Sequence, residues 1–200
     1  MNLRVNLLAV FVLSICSNYA LAQFDTVINL PENPVSPNPS EFSGNSIGND
    51  SGISSDTQLN VSDGGSIGFR FDAGAENVPN TNIEVNISGG EVGAGFNANS
   101  GSTVNISGGV FGINSSFRSG STVNLSGGSI GVFNFAGDGS TVNISGGTLG
   151  AAFRASSGST VNISGGIIED RFRAANGSTV NISGGSVSYT HLTLPTILLV

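Results

Sequence analysis

The phrase GSTVNISGG occupies residues 101–109 and returns unchanged at 139–147, 158–166 and 177–185; at 120–128 it returns with Leu125 in place of isoleucine. The step between neighbouring copies is 19 residues. Val85, Val104, Val123, Val142, Val161 and Val180 keep that step, and so do Asn86, Asn105, Asn124, Asn143, Asn162 and Asn181. A fixed period of this length marks a solenoid, in which each repeat packs chiefly on its neighbours. Seven copies of the Asn-centred strand are recognisable. The first, LNVSDGGSIGFRFDAG (59–74), carries one extra residue near Asp63, and a seven-residue insertion (75–81) follows it. SGNSIG (43–48) reads as a degenerate start.

The repeating unit is T-V-N-I-S-G-G-x-φ-G-x-x-F-x-A-x-x-G-S, with φ aliphatic in most copies. T-V-N-I-S alternates polar and apolar residues, the period of a half-buried strand, and its β-branched residues favour that conformation. Gly-Gly ends the strand. F-x-A alternates again and predicts a second strand, and G-S closes the unit. No stretch of the repeats shows a helical period, and glycines at this density oppose a helix. A unit this small cannot bury its own apolar face, so the copies must stack.

The expected fold is therefore all-β: a parallel β-helix, right-handed, of about seven coils of 19 residues. Stacking converts the period into interior ladders. Val104 and its counterparts form one. Ile87, Ile106, Leu125, Ile144, Ile163 and Ile182 form a second, and Val92, Phe111, Ile130, Leu149 and Ile168 a third. Phe71, Phe96, Phe153 and Phe172 form a fourth, interrupted where Ser115 and Asn134 stand; Phe117, Phe133 and Phe135 beside those gaps suggest coils that trade aromatic volume, or a local bulge. A left-handed helix of hexapeptides would step by about 18 residues. A calcium-binding β-roll needs an Asp after G-G-x-G-x, which GGSIGV and GGTLGA lack.

The TVNISGG unit at this period resembles the repeats of secreted bacterial adhesins of the filamentous-haemagglutinin and autotransporter-passenger type, over residues 43–185. The resemblance implies a β-helical stalk displayed or released outside the cell. The flanks agree with export. Residues 1–22 read as a signal peptide: Arg4, an apolar stretch over 5–15, and Ala20-Leu21-Ala22 before the cleavage point. That segment is too short to span a membrane comfortably, and it holds the sole cysteine, Cys16, so the remaining chain has no disulfide. Residues 23–42, with Pro31, Pro34, Pro37 and Pro39, read as a linker. The tail SVSYTHLTLPTILLV (186–200) breaks the period. Residues 187–196 resemble the translation of a transposon-derived sequencing adapter, so the tail is expected to be non-native, with the repeats continuing in the natural gene; His191 receives no role. An uncapped last coil is then an edge for coil-end association.

The chain carries a net charge of -7 with 10% charged residues, and all six of its basic residues are arginines. That balance opposes nucleic-acid binding. The densest charged run, Glu169-Asp170-Arg171-Phe172-Arg173, offers carboxylates to a polysaccharide lyase or hydrolase; read as a solvated face it needs no chemistry. No catalytic, metal or cofactor residue is assigned, and the expectation is a protein without enzymatic activity. Asn-x-Ser in nearly every repeat matches a glycosylation acceptor, but strand chemistry explains it. With Val104 and Ile106 inward, Thr103, Asn105 and Ser107 face out. Thr122, Asn124 and Ser126, Thr141, Asn143 and Ser145, and Thr160, Asn162 and Ser164 repeat the row. Stacking makes a flat polar grid that bonds between coils. The grid is the candidate contact face of a secreted or cell-surface, structural or adhesin-like protein, whose partners would be glycans, matrix or cell surfaces. Ice binding is a further reading of a regular Thr-bearing face.

Overall fold

The computed structural model describes residues 24–31, 42–43, 46–188 and 197–199. Every element among them is a β-strand. The chain winds as a parallel β-solenoid with three sides to each coil. The longest side is a nine-stranded sheet running from Thr26–Leu30 through Thr57–Val61, Ile83–Ile87, Ser102–Ile106, Thr122–Leu125, Thr141–Ile144, Thr160–Ile163 and Thr179–Ile182 to Ile197–Leu199. The second side also has nine strands, of two residues each, such as Val110–Phe111 and Ser129–Ile130. The third has seven, from Gly52–Ile53 to Arg173–Ala174. All neighbours pair in parallel except Phe42–Ser43 with Ser46–Ile47. Like residues lie in register, as in Thr103↔Thr122, Val104↔Val123 and Asn105↔Asn124.

The four interior ladders are buried as their spacing requires. Val104, Val123, Val142 and Val161 are fully enclosed, and the isoleucine, third-ladder and phenylalanine positions join them in one core, except Ile182, which packs against it half-buried. Ala98, Phe117, Ala136, Ala155 and Ala174 add a fifth inward column. Rings stack along the axis: Phe71 on Phe96 at 5.7 Å and Phe153 on Phe172 at 5.8 Å between centroids.

Three corners turn each coil. The first is the Gly-Gly pair, and stacking sets its composition. A side chain on Gly146 would meet the Ser126 carbonyl oxygen of the coil before. Gly147 has φ 71°, and its Cβ would lie 2.8 Å from the carbonyl oxygens of both Gly127 and Gly128. The second corner is left-handed at Asp50, Arg70, Gly95, Asn114, Phe133, Ala152 and Arg171. The third holds a buried serine: Ser102, Ser121, Ser140, Ser159 and Ser178 turn inward. Each hydroxyl donates to the carbonyl three residues back, at 2.6–2.7 Å. That bond satisfies a hydroxyl taken out of water; Ser115 Oγ, buried elsewhere in the core, has no such partner among the described residues.

The irregularities are local. The register step is 26 residues between Val61 and Ile87 and 25 between Ser66 and Glu91, which places the extra residue of the first copy between Ser62 and Ser66 and leaves six residues, not seven, to the insertion that follows. The insertion folds on Asn80, whose amide bonds the backbone of Ala75 in both directions, at 3.0 and 2.8 Å.

Two expectations change. Within the stretch read as a linker, Thr26–Leu30 is a strand of the long sheet, paired Thr26↔Thr57 to Leu30↔Val61. Its T-V-I-N-L alternation buries Ile28 and Leu30 and sets Asn29 beside Asn60. The trade of aromatic volume holds for only one coil. Phe117 is buried and reaches Phe153 at 6.4 Å, spanning the gap. Phe133 and Phe135 instead point outward, 57% and 39% exposed, with Asn134 buried between them. Asn134 is fixed inside because its Oδ1 accepts the Ser115 N–H and its Nδ2 donates to the Gly131 carbonyl. The leader read at 1–22 and tail residues 189–196 lie outside the described residues. Ile197–Leu199 pairs with Thr179–Ile182 at one end of the long sheet.

Candidate functional site

The outer surface of the long sheet carries the candidate residues. Alternation in S-T-V-N-I sends Thr103 and Asn105 to the opposite side from Ser102, Val104 and Ile106. Thr103, Thr122, Thr141 and Thr160 are half-buried in one column; Asn105, Asn124, Asn143 and Asn162 are half-buried in the next; Ser107, Ser126, Ser145 and Ser164 form an exposed third column. The structure thus brings all twelve predicted residues onto one surface. Columns lie about 7 Å apart along a strand and rows about 4.8 Å apart between coils.

The three columns differ in what they leave free. The asparagines form a continuous amide ladder. Each Nδ2 donates to the Oδ1 of the coil before, at 2.8–2.9 Å, from Asn181 back through Asn162, Asn143, Asn124, Asn105, Asn86 and Asn60 to Asn29. Amides aligned head to tail polarise one another and strengthen the chain. From Asn105 to Asn162 one N–H and one lone pair remain on each member; Asn60 and Asn86 give their second N–H to Gln58 and Glu84. The serine hydroxyls also turn to the preceding coil: Ser126 Oγ donates to the Ile106 carbonyl at 3.2 Å, and Ser107, Ser145 and Ser164 repeat the contact at 3.4–3.5 Å. The threonine hydroxyls of 103, 122, 141 and 160 have no protein partner among the described residues. The asparagine column therefore belongs mainly to the architecture, and the threonine column is the part of the grid open to a ligand.

The threonine column starts where charge ends. Its counterparts in the three strands before Thr103 are Val27, Gln58 and Glu84; Gln58 donates to Glu84 at 3.3 Å, and Glu84 also accepts from Asn86 at 2.6 Å. From Thr103 to Ser164 the grid has no ionisable side chain. It can exchange hydrogen bonds with neutral hydroxyl groups and offer threonine methyls to apolar faces.

The charged run at 169–173 bends around a corner. Glu169 and Asp170 follow the second-side strand Ile167–Ile168, Arg171 takes φ 63°, Phe172 is buried, and Arg173 opens the third-side strand. Both carboxyl residues line a shallow cleft of about 260 Å³ with Ile167, Ile168 and Ser186. Glu169 Oε2 accepts the Ala151 backbone N–H at 3.2 Å. Among the described residues no group of three His, Cys, Asp or Glu is placed to hold a metal ion.

The sequence reading missed the outward pair Phe133 and Phe135. The signal lay in the ladder itself, since position 134 aligns with the buried Phe153 and Phe172 and a period of two then sends its neighbours outward. No protein-family model matches the chain, and neither curated proteins nor solved structures give a match.

Proposed function

We propose that the chain is an exported, extracellular rod of structural or adhesin-like role, wound right-handed as parallel crossovers favour. It meets neutral glycans of a matrix or cell surface along its long sheet. The observation that carries this reading is the in-register threonine column with its hydroxyls unspent, beside an asparagine ladder that holds the rows in place. Repetition supports it: identical shallow contacts on successive coils multiply a weak affinity without any deep pocket.

The test is the quadruple variant Thr103→Val, Thr122→Val, Thr141→Val, Thr160→Val on a glycan array. Valine keeps shape and strand propensity and removes only the hydroxyl. Binding to neutral glycans is expected to fall by at least about tenfold, while each of these outward, half-buried substitutions changes stability by no more than about 0.5 kcal/mol. Undiminished binding by the variant, or no glycan bound by the parent chain, contradicts the reading. The same regular column favours ice as a second ligand surface, and thermal hysteresis in the parent chain, lost in the variant, is the result that would select it.

A further inference from the structure

The third side of the solenoid carries a second, chemically different surface. Its outward column runs Asp72, Asn97, Ser116, Phe135, Arg154, Arg173 in unbroken register. Acid and amide are joined at one end, where Asn97 Nδ2 donates to Asp72 Oδ1 at 2.8 Å. At the other end stand an exposed ring and two exposed guanidinium groups. Phe133, at the adjoining corner, adds a second exposed ring.

The arginines divide the same way. Arg70 pairs with Asp50 at 2.9 Å, and Arg118 pairs with Glu76. Among the described residues Arg154, Arg171 and Arg173 have no carboxylate partner. On a chain of net charge -7, the unpaired cations are thus gathered in two neighbouring coils beside the outward rings. Phe133, Phe135 and Arg154 also line one shallow cleft of about 400 Å³.

Three features of this patch cost stability. Phe133 holds φ 61°, a conformation that bulky residues avoid and that Gly95 fills in an earlier coil. Phe133 and Phe135 expose rings that the core has no room for, Asn134 having taken the inward site. Arg154 and Arg173 are direct register partners, and like charges so placed repel. Outliers gathered at one place point to a function there.

We propose that this face binds an anionic polysaccharide, with sugar rings on Phe133 and Phe135 and the carboxylate or sulfate groups on Arg154 and Arg173. A guanidinium matches either anion with two parallel hydrogen bonds, and an anion between the two arginines removes their repulsion. Pyranose rings offer C–H faces to the exposed aromatics. A single-stranded nucleic acid presents rings and charge as well, but its charge density calls for a long basic groove rather than three arginines on an acidic chain. Glu169 and Asp170 lie before the Arg171 corner, on the second side, not in the column that carries Arg154 and Arg173. The inference rests on the extracellular part of the proposed function and not on the threonine face.

The experiment measures binding of the full chain to polygalacturonate, dextran sulfate, neutral dextran and oligo-dT, at low and high salt. Two variants accompany it: Arg154→Gln/Arg173→Gln, and Phe133→Asn/Phe135→Ser, which installs the residues of the preceding coil, Asn114 and Ser116. Both sites are exposed, and circular dichroism checks the fold. One or both polyanions are expected to bind, more weakly at high salt, and each variant to lose about tenfold or more; the preferred polyanion tells carboxylate from sulfate. The quadruple threonine variant is expected to keep this binding, so failure of the neutral-glycan reading and failure of this one are separate results. No binding of either polyanion, binding by either variant as tight as that of the parent chain, or tighter binding of oligo-dT overturns the proposal.

Discussion

Phe153→Ala is expected to destabilise the chain by about 3–5 kcal/mol, read from the urea midpoint at unchanged slope. Phe153 is fully buried and joins two segments of the ring stack, facing Phe117 at 6.4 Å and Phe172 at 5.8 Å. Removing it opens a cavity at the coil where the phenylalanine ladder resumes after Ser115 and Asn134. Neighbouring coils are held by backbone ladders on three sides and cannot collapse onto the gap cheaply. Phe135→Ser, one coil earlier, is expected to change stability by no more than about 0.5 kcal/mol, because that ring lies outside the core. Similar losses for both would mean that the outward placement of Phe135 is wrong.

The second large effect separates two reasons for glycine. Gly95 and Gly147 have nearly the same left-handed backbone, φ 76° and 71°. At Gly95 the nearest atom to an added Cβ is the flexible Arg70 Cγ at 3.3 Å; at Gly147 it is the backbone carbonyls of Gly127 and Gly128 at 2.8 Å. Gly95→Ala pays only the conformational cost, about 1–2 kcal/mol. Gly147→Ala adds a clash with the coil before and is expected to lose about 3 kcal/mol or more. Ala152 already occupies the left-handed corner at φ 61°, which shows that φ alone does not demand glycine there. Equal losses at the two positions would put the cost in φ and remove stacking as the cause.

These contrasts explain how much of the fold was legible. A period repeated almost without error names its own inward positions, so Val104, Ile106, Phe111 and their counterparts could be placed before any coordinates. The grid was legible for the same reason: alternation around Val104 and Ile106 leaves Thr103, Asn105 and Ser107 on the other face. Bonding between coils was legible too; which hydroxyls it would leave free was not. Asparagine, serine and threonine look alike in a polar row, yet the amide ladder engages the first, the carbonyls of the preceding coil engage the second, and the threonine hydroxyls remain.

Other features were hidden by residue identity. The second corner is left-handed from Asp50 to Arg171 in every coil among the described residues, but it carries Arg70, Phe133, Ala152 and Arg171, none of which announces that conformation. The inward serines were read as part of a turn because serine is a turn residue; the carbonyl three residues back accepts the hydroxyl that burial takes from water. Residues 26–30 were masked by the prolines that follow them, although T-V-I-N-L obeys the same alternation as the repeats.

The account rests on successive coils lying in register, one repeat apart, so that like residues become columns. Cysteine pairs on the long sheet measure this directly, since the sole natural cysteine is Cys16, far outside the repeats. Thr122 and Thr141 are register partners, with Cα atoms about 4.8 Å apart across the sheet, inside the range a disulfide spans. Thr122 and Thr160 are two coils apart, about 9.6 Å, beyond that range. Thr122→Cys/Thr141→Cys is predicted to oxidise to an intramolecular disulfide, and Thr122→Cys/Thr160→Cys to stay reduced. A disulfide in the second pair with none in the first would contradict the stacked coil.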